Sequence, residues 1–186
     1  EAKAGQRAVF FVDAAHFVLT AFLGYLWSLK RIFIQAPSGR QRFNVLGALN
    51  AVTHELITVT NDTYINAASV CELLHKLADL QLDVPITLFL DNARYQKCDL
   101  VQTTAKSLHI ELCFLPPYSP NLNLIERLWK FVKKECLYSE YYSDFTKFKT
   151  AILDCLGQTH TTHKKKLDSL LTLHFQTFEK PQSMTV

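Results

Sequence analysis

At 186 residues the chain can bury one substantial core, and with 48% hydrophobic residues, 13 phenylalanines and two tryptophans it is no disordered segment. Its apolar stretches are all far shorter than a membrane span, and its opening residues do not read as a secretory leader. A net charge of +3 and a pI near 8.6 favour an anionic partner only weakly. Cysteines at 71, 98, 113, 136 and 155 are scattered without a Cys-x-x-Cys pair, which disfavours a zinc site or disulfide framework and points to a reducing, cytoplasmic setting.

The run Ala8-Val9-Phe10-Phe11-Val12 reads as a buried strand that ends at Asp13. Tyr25 to Ile34 predicts a second strand, closed by the turn signal Pro37-Ser38-Gly39. Phe43, Val45, Gly47 and Leu49 alternate with Arg42, Asn44, Leu46 and Ala48, the period of a third strand, and 55–60 add a short one. Asn61-Asp62 offers a helix cap before Ala67, Val70, Cys71, Leu74, Leu77 and Ala78, which share one helical stripe. Pro85 precedes the strand Ile86-Thr87-Leu88-Phe89-Leu90, which ends at Asp91. Residues 94–107 predict a short helix and 109–115 a last strand, stopped by Pro116-Pro117. Ile125, Leu128, Trp129, Val132 and Cys136 then form the best-patterned helical stripe. The region 144–178 reads as helical, with Phe145, Phe148, Ile152 and Leu156 on one face and a polar break from His160 to Lys166. One domain over 1–186 is expected, its core at about 8–138.

Asp13, Asp91 and Glu126 are the candidate site. Open α/β sheets place ligands at strand ends, where both aspartates are predicted to emerge. Glu126 lies about 100° around the helix from Ile125, beside the buried stripe rather than in it. Carboxylates converging from separate elements suit hard divalent cations and phosphate chemistry. Each has a plainer role as well. Strand-end aspartates usually cap turns, and Asn123-Leu124-Ile125-Glu126 has capping-box form. Arg127, Lys130, Lys133, Lys134, Lys147 and Lys149 crowd the segment after Glu126, and Lys30, Arg31, Arg40 and Arg42 cluster earlier. His16 beside Asp13 is read as tuning it, touching DNA or filling a structural role. The spacing His160-x-x-His163 reads as a connector rather than a metal site, and Trp129 as packing.

Three blocks carry a family resemblance: Phe11-Val12-Asp13-Ala14-Ala15-His16-Phe17, Leu90-Asp91-Asn92-Ala93-Arg94, and the long stretch from Leu115 through Pro116-Pro117-Tyr118-Ser119-Pro120-Asn121-Leu122-Asn123-Leu124-Ile125-Glu126 to Lys130. They resemble the signature blocks of mariner-type DDE transposases and their bacterial insertion-sequence relatives. The interval between Asp91 and Glu126, residues 92–125, resembles that superfamily's short second spacing; Trp27 and the Arg42 to Leu49 block are similar too. The resemblance covers about residues 8–138. Departures are Ala14 for a frequent glutamate, Gln96 for a frequent histidine, and Asn121 and Leu124 for a frequent aspartate and proline.

The resemblance implies a ribonuclease-H-like α/β fold, a mixed sheet of about five strands with helices on both faces. It implies DNA cleavage at transposon ends and 3′-hydroxyl strand transfer, with Asp13, Asp91 and Glu126 holding two Mg²⁺ or Mn²⁺ ions roughly 3.5–4 Å apart. Asn92, Arg94, Arg127, Lys130 and Lys134 are the candidate DNA contacts. DNA is the expected partner, a homodimer is expected from the need to pair two ends, and neither a membrane nor an organic cofactor is implied. In a bacterium the protein would act at the nucleoid. With no helix-turn-helix reader in view and no initiator methionine, an N-terminal DNA-binding region is expected to be missing from this chain. Two other functions fit the same residues: a ribonuclease-H-like nuclease without strand transfer, and a co-opted DNA-binding domain lacking catalysis.

Overall fold

Residues 1–19, 29–31, 41–117, 119–138 and 140–175 are described by the computed structural model of the chain. Among them five strands, β1 (Ala8–Leu19), β2 (Gln41–Asn50), β3 (Leu56–Asn61), β4 (Ile86–Leu90) and β5 (Ile110–Phe114), form one sheet in the order β3-β2-β1-β4-β5. β1–β2 and β2–β3 pair antiparallel, while β1–β4 and β4–β5 pair parallel. Five helices cover the sheet: α1 (Ala67–Ala78), α2 (Asp99–Ser107), α3 (Ile125–Cys136), α4 (Phe145–Gly157) and α5 (Lys164–Leu170). This is the mixed sheet with helices on both faces of a ribonuclease-H-like fold. No helix among the described residues is long and apolar enough to cross a membrane.

The side-chain alternation of β1 sorts the core into two layers. Phe10 and Val12 join Leu46, Ala48, Leu88 and the α1 and α2 residues on one face. Phe11, Ala15 and Phe17 join Phe43, Val45, Leu49 and the stripes of α3 and α4 on the other. Both faces are therefore buried, which is why β1 as far as Val12 and β4 read as continuous apolar runs rather than alternating ones. The α3 stripe is buried as its spacing predicts, with Phe131 added to it.

Several boundaries differ from the sequence expectation. β1 continues to Leu19 instead of ending at Asp13, because β2 pairs with it as far as Leu19↔Gln41. Its parallel partner β4 stops sooner, at Phe11↔Phe89 in the ladder. Asp13 thus sits inside a strand, just past the point where β1 loses one neighbour. Helix α1 is capped not by Asn61-Asp62 but by Asn66, whose side chain accepts from the Ser69 amide in a capping box. Asn61 instead ends β3, where its side chain accepts from Asn44 and from the Thr63 amide. The predicted helix over 94–107 is a 3-10 turn, Arg94–Gln96, followed by α2. α5 starts at Lys164, inside the expected polar break, and His163 packs edge-on against Phe131. The predicted strand over 25–34 lies outside the described residues except for Leu29 to Arg31, which are not in a strand. The turn at Pro37-Ser38-Gly39, with Trp27, Arg40 and Tyr118, also lies outside them.

Candidate active site

Asp13, Asp91 and Glu126 line one cavity of about 250 Å³, together with Asn92, Asn123 and the Pro116-Pro117 turn. Three mechanisms hold them there. Asp13 is fixed by the β1–β2 ladder, opposite Gly47. Asp91 follows the last residue of β4 and accepts the Ala93 amide at 3.1 Å, an Asx-type turn that redirects the chain. Glu126 stands on the first turn of α3, a helix anchored by its buried stripe.

The electrostatics of the cavity follow from this convergence. Burial, then the charge of Glu126 and, more weakly, that of Asp91 push the Asp13 carboxyl up to about 7, although the Ala14 amide and the Trp129 indole act in the opposite direction. The same negative field reaches Tyr95, whose hydroxyl is pushed up to about 12 by burial first and by Asp91 and Asp13 after it. The Glu126 side chain forms no hydrogen bond or ion pair with any described residue; the Glu126 amide donates to the Asn123 carbonyl at 3.2 Å, but the side chains do not complete the expected capping box. The N-terminus of α3 has no side-chain cap; the Asn123 amide donates to the Pro120 carbonyl instead.

Among the described residues, no three His, Cys, Asp or Glu side chains close on a point as a ready metal cage. The trio lines a shared space. Its chemistry nevertheless fits a hard divalent cation: the donors are oxygens only, and a cation would offset both the burial and the neighbouring carboxylate charge that lift Asp13.

Residues 8–149 match the family model described as "DDE superfamily endonuclease". The chain belongs to that superfamily. Proteins similar to it include an insertion-element protein and the mariner transposase Mos1. The "Insertion element IS630 uncharacterized 39 kDa protein" of Shigella sonnei is 26% identical over 128 residues, covering 67% of this chain and 37% of the relative. Mos1 in its strand transfer complex superposes with a TM-score of 0.56 at 14% identity, over 94% of this chain and 56% of Mos1. The mariner Mos1 paired end complex with Mg gives 0.58 at 14%, over 89% and 52%. At that identity the likeness to Mos1 is one of fold. The chain therefore spans little more than a third of the insertion-element protein and just over half of Mos1.

Within this DDE domain the remaining candidates are placed differently from one another. Asn92 lines the cavity and donates its side-chain amide to the Leu115 carbonyl, joining the ends of β4 and β5. Arg94 is exposed on the 3-10 turn. Lys130 and Lys134 are exposed on α3 and pair with no described residue; Lys130 lines a second groove that shares Pro120, Asn123 and Glu126 with the cavity. Arg127 is engaged otherwise. Its guanidinium donates to the carbonyls of Leu170 (3.2 Å), Thr172 (2.7 Å) and His174 (2.7 Å) and lies over the Phe175 ring. His16 is exposed and its side chain leaves the opposite face of β1 from Asp13, bonding Asn44 at 2.7 Å. Gln96 is fully buried and does not line the cavity.

Two neighbours of the trio escape sequence reading. Trp129 belongs to the packed stripe, yet its indole N–H donates to Asp13 Oδ2 at 3.0 Å. Asn123, 4% exposed, donates to the Val12 carbonyl at 3.2 Å and keeps an Oδ1 without a partner among the described residues. The one available signal was spacing. Residue 129 lies three after Glu126, on the adjacent part of the same helix face.

Proposed function

We propose that this chain is the catalytic domain of a DNA transposase, cutting phosphodiester bonds at transposon ends and joining the freed 3′-hydroxyl to target DNA. The observation that carries the reading is a single cavity lined by carboxylates from β1, the end of β4 and the start of α3. The relatives add weight: Mos1 has been seen in strand transfer and paired-end complexes, with Mg and with Mn.

In this reading Asp13, Asp91 and Glu126, which line the one cavity, would hold the divalent cations. A bound pair of Mg²⁺ or Mn²⁺ supplies an acidified nucleophile oxygen and charge against the leaving oxygen. The chain's own contribution is placement. The ladder fixes Asp13, the Asx turn fixes Asp91, and the α3 stripe fixes Glu126, so the three keep their relative positions as DNA enters. Lys130, which lines the adjoining groove with Glu126, would meet a backbone phosphate of the bound strand. Pairing of two DNA ends, the assembly in which Mos1 has been seen, would call for two copies of this chain.

Glu126→Gln tests this directly. It keeps size and hydrogen-bonding capacity but removes the charge, so cleavage of element-end DNA should fall by at least two orders of magnitude while the circular dichroism spectrum and DNA affinity stay unchanged. Cleavage at the wild-type rate would remove Glu126 from the site. A strand-transfer assay separates the nuclease alternative, which would cut without joining.

A further inference from the structure

We propose that Trp129 is a positioning residue for Asp13, its indole N–H deciding which carboxylate oxygens remain for ligands of the cavity. This rests on the metal-binding reading given above.

A buried indole N–H needs an acceptor, and any backbone carbonyl would satisfy it. Here the acceptor is Oδ2 of Asp13, at 3.0 Å. The ring has little freedom to choose another. Trp129 is 2% exposed and meets Phe17 edge-on, with centroids 6.4 Å apart and planes at 83°. Across the ladder from Asp13 stands Gly47. A Cβ at that position would come within 2.8 Å of Trp129 Cη2 and 3.0 Å of Cζ2. The missing side chain at 47 is therefore the space that lets the indole approach the strand beside Asp13.

The consequence is geometric. The terminal torsion of an aspartate is broad and roughly two-fold, so strand packing alone leaves the carboxylate plane free to turn. A donor on Oδ2 removes that freedom and takes one of about four lone-pair sites. The Ala14 amide acts on the same carboxyl, and the lone pairs that remain are left for the cavity. Groups that orient a ligand from behind in this way change metal affinity roughly 10–100-fold when lost.

Calorimetric titration with Mn²⁺ tests the proposal on the wild type, Trp129→Phe, and a protein carrying benzothienylalanine at 129, which keeps the bicyclic shape but has sulfur in place of N–H. Both replacements should weaken Mn²⁺ binding roughly 10–100-fold, and the benzothienyl protein should keep the wild-type circular dichroism spectrum and a cooperative melt. Equal Mn²⁺ affinity in wild type and the benzothienyl protein would overturn the proposal while leaving the metal site standing. Absence of saturable Mn²⁺ uptake by the wild type would bring down the metal reading and this inference together. A measurement on the unaltered ring guards against misfolding of the variants. The Trp129 indole ¹H–¹⁵N resonance, identified by its survival in Trp27→Phe, should shift on saturation with Mg²⁺; a resonance that stays put would equally overturn the proposal.

Discussion

The side-chain amide of Asn123 donates to the main-chain carbonyl of Val12 at 3.2 Å, tying the segment just before Glu126 to the residue just before Asp13. The two ends of the candidate trio are thus joined by one buried hydrogen bond across a long stretch of sequence. Removing one partner of a buried bond leaves the other desolvated and unpaired, which costs roughly 1–3 kcal/mol. Asn123→Ala should therefore lower unfolding stability in urea by about that amount. It should also slow DNA cleavage even at temperatures where the variant is fully folded. A loss of stability without any loss of cleavage would make the bond purely structural.

Gly47 has the tightest surroundings of the glycines described, and the substitution cost should show it. Gly47→Ala drives a methyl group to 2.8 Å from Trp129 and 3.0 Å from Ile125, an overpacking that typically costs about 1–3 kcal/mol. Gly157→Ala, at the end of α4 with nothing within 4 Å of the added carbon, is the control. It should be neutral or stabilising by up to about 1 kcal/mol. Thermal unfolding of both variants checks the pair; equal shifts would mean that the contact at 47 relaxes freely.

The raised Asp13 carboxyl predicts the pH response of the metal-free protein. Its value in the fold is about 7, against an ordinary 3.8. Between these two pH values the folded protein retains a proton that the unfolded chain has released, so stability falls as pH rises through that window. The penalty is absent below the lower value and complete above the upper one, on the order of a few kcal/mol. Asp13→Asn abolishes it. In EDTA the variant should be more stable than wild type at pH 8, and the advantage should vanish near pH 4. An advantage of the same size at both pH values would show that Asp13 ionises normally in the fold.

What the sequence made legible was what depends on local pattern. The apolar runs at 8–12 and 86–90 and the stripe from Ile125 to Cys136 each mark a buried element, and each lies beside one acidic residue that a purely apolar core would not tolerate. The order of the sheet and its two helix layers then bring those residues to one cavity. What stayed hidden depends on pairing between distant segments. The end of β1 is set by how far β2 follows it, so Asp13 looked terminal and is not. The stripe marks Trp129 as buried but cannot show that one ring edge reaches β1. Asn123 looked like a cap because its partner, Val12, is remote in sequence.

Arg127 and the lysines that follow it look alike as a charge run, and their surroundings predict opposite phenotypes. The Arg127 guanidinium is spent on three carbonyls of the segment after α5, at Leu170, Thr172 and His174. Arg127→Ala should therefore loosen that segment. Amide hydrogen exchange over 170–175 should speed up, with stability lower by roughly 1–3 kcal/mol for hydrogen bonds to a charged group. The salt dependence of DNA binding should barely change. Lys130 and Lys134 have no such employment; both are exposed and without an ion-pair partner among the described residues. A phosphate neutralised by each would contribute about 0.9 to the slope of log affinity against log salt. The double variant Lys130→Ala with Lys134→Ala should accordingly flatten that slope by up to about 2, and leave exchange over 170–175 untouched. If the arginine variant flattened the slope and the lysine pair did not, the DNA path would run along the C-terminal segment instead of α3.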